Sequence, residues 1–219
     1  MMLIIILTVF VLITAVLAIW GEYKPTRTQV YIFKPLTTIL IIGIALLGVS
    51  PTALYKTLII VGLIFCLGGD IFLMLPAKYF IMGLVSFLIG HIFYIAAFAT
   101  DGGLQLSWWL LPLAVYGIIM YTILQPHLGK MRGPVIAYVL VILTMAWQAL
   151  TRWSVLQTTG ALLAAVGAVT FVVSDSTLAL DRFREKFRSA RVIVLTTYWL
   201  AQWLIALSVG GYLAFTELL

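Results

Sequence analysis

Residues 55–75, YKTLIIVGLIFCLGGDIFLML, read as a helix that crosses a membrane, yet they hold one carboxylate, Asp70, well inside the apolar run. A stretch of this length and hydropathy is what spans hydrocarbon. The rest of the chain has the same character. Of its 219 residues, 64% are hydrophobic and 9% are charged, with a mean hydropathy of +1.19. Soluble domains are about half apolar and a quarter charged. Apolar runs follow one another with short interruptions, leaving no room for a soluble domain. The sequence predicts one all-α, polytopic membrane domain over residues 1–219.

Eight spans can be drawn, at residues 2–20, 33–49, 55–75, 79–100, 107–125, 133–151, 156–180 and 191–215. The first has no Lys or Arg ahead of its apolar run, so it reads as a retained helix rather than a cleaved signal. The loops after the first, third, fifth and seventh spans carry or border every Lys and Arg except Lys56 and Arg152. By the positive-inside rule those loops are cytoplasmic and both termini lie outside. The most basic loop, DRFREKFRSAR at residues 181–191, is a topology determinant or a site for anionic headgroups. Topology and lipid therefore account for the net charge of +6, and nucleic acid is not an expected partner. The compact loops and the lack of a cleavable presequence point to a bacterial inner membrane.

The two halves echo each other. GDIFLML at residues 69–75 aligns with SDSTLAL at 174–180, which places Asp70 and Asp175 105 residues apart. Lys34-Pro35 and Gly133-Pro134 likewise open the second and sixth spans. Four spans per half make this a parallel repeat, related by an axis along the membrane normal. Both aspartates then lie about 9 Å from the cytoplasmic boundary, at 1.5 Å rise per residue. A charge in lipid costs several kcal/mol, so such carboxylates face the bundle interior and mark a site, or else pair helices in protonated form. Two carboxyls close together in a low dielectric do not both ionise easily; one keeps its proton while the other carries charge, which supplies an acid and a base.

Other intramembrane polar groups are few. His91 and Tyr94 share one helical face, as do Tyr198 and Gln202, and each pair either bonds helices together or lines a polar cavity. Lys34 at a cytoplasmic helix start holds a phosphate or snorkels. Cys66 reads as packing. A catalytic zinc needs three protein ligands, and only His91 is a well-buried histidine. No G-x-S-x-G elbow occurs. No metal or cofactor is expected.

Lys34-Pro35, GGDIFLML, GHIFYIAAF, SDSTLAL and YWLAQWLI, in that order and spacing, resemble the lysoplasmalogenase family, the YhhN-like membrane proteins. The resemblance covers nearly the whole chain. It implies a hydrolase that cleaves the vinyl ether bond of lysoplasmalogens, releasing a fatty aldehyde and glycerophosphoethanolamine or glycerophosphocholine. It also implies that Asp70 and Asp175 are the catalytic pair. Vinyl ether hydrolysis suits them, because it needs an acid to protonate carbon and an anion to steady the resulting cation and activate water. A lysophospholipid would place its headgroup near Lys34, with Tyr94, His91, Tyr198 and Gln202 ordering water or glycerol hydroxyls. The rival reading is a proton-coupled transporter, since intramembrane aspartates and parallel repeats occur there too. No Gly- and Pro-rich broken helix near mid-bilayer supports it. A scaffold whose aspartates only pair helices is a third reading.

Overall fold

A computed structural model describes residues 1–50 and 52–210. The chain forms helices α1 (Met2–Gly21), α2 (Thr28–Leu47), α3 (Ala53–Met74), α4 (Phe80–Gly102), α5 (Leu110–Leu124), α6 (Arg132–Leu156), α7 (Thr159–Ala179) and α8 (Ala190–Leu207). All eight, some extended by a short helical turn, are long and apolar enough to cross a membrane. In hydrocarbon every backbone polar group must be satisfied within the segment, and the helix does this.

Helices α2, α3, α4, α6, α7 and α8 close a ring in that order, with α1 packed outside on α2 and α8, and α5 outside on α6. Ile41, Leu63, Phe98, Met145, Phe171 and Ile205 fill the interior, while Ile5, Leu12 and Val16 of α1 stay exposed, as lipid permits. The halves repeat this plan. Each begins with an outlying helix, α1 or α5, and each contains one especially extensive pairing, α3 with α4 and α7 with α8. Both pairings rest on a glycine, Gly62 on α3 and Gly167 on α7, at the same 105-residue interval as the aspartates. A Cβ on Gly62 would enter the Tyr94 ring and approach the Gly90 carbonyl at 3.1 Å; one on Gly167 would lie 2.9 Å from the Ala201 carbonyl. Small residues at such crossings let membrane helices approach closely.

Three expectations need correction. The second span begins at Thr28, so Lys34 and Pro35 lie inside α2 instead of opening it. Proline favours a helix start, but here the apolar run ahead of it continues the helix, and only the donor to the Tyr31 carbonyl is lost. Lys34 is consequently buried and does not snorkel. Arg152 was expected in an outside loop; it lies in α6, which runs on to Leu156, and is fully buried because Asp101 of α4 neutralises it at 2.9 Å. The last span is helical to Leu207, and residues 211–215 of it lie outside the described residues. Lys56, the other basic residue at that end, donates to the carbonyls of Leu46 and Gly48 at 2.6 and 2.8 Å and closes the last turn of α2.

At the opposite, basic end, α7 passes into a π-helical turn, Leu180–Arg184, before the chain returns to α8. Glu22 ties this end together, bonding Arg191 at 2.8 Å and Arg27 at 3.6 Å.

Candidate active site

Asp70 lies in the last turns of α3 and is 1% exposed. Its Oδ2 accepts hydrogen bonds from Thr38 Oγ1 of α2 at 2.7 Å and from Tyr198 OH of α8 at 2.8 Å. Lys34 Nζ stands 3.4 Å from its Oδ1. The carboxylate is thus met by one cation and two hydroxyls from the two helices that flank α3's inner side. This is how a buried charge is tolerated: it is paired, and its lone pairs are occupied.

The chain of polar groups continues inward. Gln202 Nε2 donates to Tyr198 OH at 3.3 Å, and Tyr94 OH donates to Gln202 Oε1 at 2.6 Å. Five of the seven residues singled out in the sequence, Lys34, Asp70, Tyr94, Tyr198 and Gln202, therefore form one connected network across α2, α3, α4 and α8. His91 stands beside it. Its ring packs edge-to-face on Phe171 at 4.6 Å and on Tyr138 at 5.5 Å, and among the described residues neither ring nitrogen has a hydrogen-bond partner.

Asp175 has a different setting. Its Oδ2 accepts from Tyr138 OH of α6, and the next residue, Ser176, accepts from Tyr116 OH of α5 at 2.6 Å. Among the described residues it makes no ion pair and shares no hydrogen bond with Asp70; rings of Tyr198, Phe171, His91 and Tyr138 pack in series from one partner set to the other. Asp175 lines a narrow apolar groove between α4, α5, α6 and α7, walled by Phe87, Met120, Ile142 and Val172.

A second cavity, of about 230 Å³, opens at the basic end and is more polar than the groove. Lys34 lines it, together with Arg27, Arg182 and Arg191 and the acids Glu22 and Asp181. The two cavities share Leu73, Phe80, Leu178 and Arg182, so vestibule and groove meet between the ends of α3 and α7. The arrangement presents a mouth lined by Lys34 and three arginines, the Asp70 carboxyl buried behind Lys34, and an apolar slot with the Asp175 carboxyl in its wall. Among the described residues no three His, Cys, Asp or Glu side chains are grouped to hold a metal ion.

Residues 29–209 match the model of the YhhN family. The chain belongs to the YhhN family. It is similar to the lysoplasmalogenase TMEM86A of Bos taurus, with 38% identity over 174 residues, 76% of this chain and 69% of that protein. It is similar also to the lysoplasmalogenase TMEM86B of Homo sapiens, 33% identical over 159 residues, 73% of this chain and 66% of that one. A membrane protein named YhhN from Escherichia coli O157:H7 is 29% identical over 199 residues, 90% of this chain and 95% of its own. No solved structure matches.

The matched YhhN segment begins in α2 and ends after α8, so it holds both aspartates and all their partners, and α1 lies outside it. Within this YhhN site, Thr38 and Tyr138 escaped the sequence reading. Each belongs to the helix that precedes the aspartate's own helix in its half, α2 before α3 and α6 before α7. Thr38 follows Lys34 by one helical turn, which was a usable signal; Tyr138 sits shortly after Gly133-Pro134, the counterpart of Lys34-Pro35.

Proposed function

We propose that this chain is a membrane-embedded hydrolase that cleaves the vinyl ether bond of lysoplasmalogens, yielding a fatty aldehyde and glycerophosphoethanolamine or glycerophosphocholine. The observation that carries the reading is the junction of a cationic vestibule, floored by Lys34 beside Asp70, with an apolar groove that holds Asp175. A single-chain phospholipid has that division of polarity, and the similar proteins named lysoplasmalogenase supply the bond to be broken.

In this reading Asp175, hydrogen-bonded by Tyr138 and otherwise walled by apolar groups, carries a proton, and Asp70, held by an ammonium and two hydroxyls, is the carboxylate. Asp175 protonates the alkenyl carbon remote from oxygen. The double bond's electrons form the new C–H bond, and an oxocarbenium ion results. Asp70 steadies that cation and takes a proton from the water that adds to it. When the hemiacetal collapses, its hydroxyl proton returns to Asp175, and Asp70 gives its proton to the departing glycerol oxygen. Both groups end as they began, and one water is consumed. Tyr94, His91, Tyr198 and Gln202 order the water and the glycerol hydroxyl. The basic end faces the cytoplasm of a bacterial inner membrane, with both termini opposite, because Lys and Arg collect there. Residues 1–219 act as one membrane domain.

The test is aldehyde release from a lysoplasmalogen and from its saturated ether analogue, using wild type, Asp70→Asn and Asp175→Asn. Release from the vinyl ether alone, falling by at least about a hundredfold in both folded variants, is the expected result. No aldehyde from a folded wild type, or full activity in both variants, overturns the proposal.

A further inference from the structure

Four cations border the vestibule, and three of them are already matched by carboxylates. Arg27 and Arg191 share Glu22, and Lys34 is held by Asp70. Arg182 is the exception: among the described residues it forms no ion pair. It is exposed, and its contact is with an aromatic ring. Its guanidinium lies over the Phe80 ring, 4.6 Å from the centroid, and Phe183 packs on the same ring at 6.1 Å with its edge. This clamps the π-helical turn, Leu180–Arg184, against the start of α4. A π-turn is uncommon and collects at functional positions, and here it presents Arg182 where groove and vestibule meet; the residue lines both.

Arg182 follows Asp175 by seven residues, four to the end of α7 and three into the π-turn, a separation of roughly 10 Å along the axis. Both residues line the same groove. That separation suits the distance from a reacting alkenyl carbon, across the ether oxygen and a glycerol backbone, to a phosphate. Arginine matches phosphate oxygens with a planar fork of donors, and a guanidinium that stacks on an aromatic ring keeps its edge free to donate.

Building on the lysophospholipid reading above, we propose that Arg182 is the phosphate-binding residue of the site, so that the protein selects single-chain lipids bearing a phosphate over the otherwise identical alkenylglycerol. Phe80 positions it. The phosphate, not the terminal ethanolamine or choline, sets the register that brings the alkenyl carbon to Asp175.

Binding is measured with two ligands that cannot react, an alkyl-ether glycerophosphoethanolamine and the alkylglycerol of the same chain length, using the full chain in nanodiscs. Wild type is expected to prefer the phosphate-bearing ligand. Arg182→Gln should reduce that preference by roughly tenfold to a hundredfold, as for charge-assisted hydrogen bonds lost, and Arg182→Lys should restore part of it. Phe80→Leu should reduce it less. Equal affinities in wild type, or a preference unchanged in Arg182→Gln, overturns the proposal. So does binding of inorganic phosphate at Arg182 as tight as that of the ether lipid, which would make this a site for free phosphate. Aldehyde release from the vinyl ether, read separately on the same preparations, decides whether the hydrolase reading stands.

Discussion

At the end of the bundle opposite the vestibule, replacing Asp101 by Leu strands a guanidinium. Arg152 is 1% exposed; its Nη2 bonds Asp101 at 2.9 Å, its guanidinium lies 4.4 Å from the Tyr55 ring centre, and Nη1 approaches Tyr55 OH at 3.5 Å. Tyr55 OH in turn meets Ser208 at 2.6 Å, so α3, α4, α6 and α8 are joined at one point. Removing one partner of a buried pair costs about 3–5 kcal/mol, because the other charge stays buried. The Asp101 side chain is 18% exposed, so water reaches one side of the pair. The lower end of that range, about 3 kcal/mol, is therefore expected for Asp101→Leu. Arg152→Met leaves a carboxylate that keeps some solvent and hydroxyls from Thr52 and Thr100, each at 3.2 Å. Its cost should be about 1.5–3 kcal/mol, that of a lost hydrogen bond to a charged group. The double variant should be close to Arg152→Met alone, a coupling of about 2 kcal/mol or more by the double-mutant cycle. Reversible unfolding in mixed micelles measures all four proteins. Additive losses, with coupling under about 0.5 kcal/mol, would refute the argument that Asp101 is what makes the buried arginine tolerable.

Two predictions bear on the site itself. Lys34→Met removes the ammonium beside Asp70, so kcat for aldehyde release should fall by about tenfold or more while KM moves less; a rise in KM with kcat intact would return Lys34 to a phosphate role. Tyr138→Phe leaves the groove's shape and removes the one side-chain hydrogen bond that Asp175 accepts among the described residues, so kcat should fall by about tenfold with KM near wild type, and an unchanged kcat would remove Tyr138 from the site.

The eight spans were legible because apolar runs of this length have no other stable reading, and errors arose where a single polar residue was given a boundary's meaning. Pro35 reads as the start of α2 and Arg152 as lying just past the end of α6, yet each sits inside a helix whose apolar pattern runs past it. A proline costs a helix one donor, and a buried arginine is tolerated once Asp101 pairs with it. Asp70, Tyr94, Tyr198 and Gln202 stood out because polar groups with no water to satisfy them must find one another. Thr38 and Tyr138 did not, since hydroxyls are common in spans and can bond their own helix, as Thr37 does to the Phe33 carbonyl at 2.7 Å. Arg182 was hidden for another reason. In a loop already expected to be basic, nothing in the letters separates a cation that binds from one that sets topology.

The repeat explains why two aspartates with the same helical address have come to differ. Duplication of a four-helix unit would place a carboxyl at the same height on α3 and on α7, each with a hydroxyl donor on the preceding helix, Thr38 or Tyr138. What separates them is what the other neighbours bring. On the α3 side, Lys34 and Tyr198 add a cation and a second donor, which favours an anion. On the α7 side, the corresponding space is the apolar groove, and Asp175 has Tyr138 and hydrocarbon walls. Where environments diverge around like groups, one can serve as acid and the other as base. A symmetric pair would give two equivalent half-sites with no direction. In the proposed mechanism the asymmetry supplies one, with the polar end of the lipid toward Asp70 and the vestibule and its chain along Asp175. Exchanging these environments, more than removing either carboxyl, is the change that would abolish the division of labour while leaving the fold's duplicated frame in place.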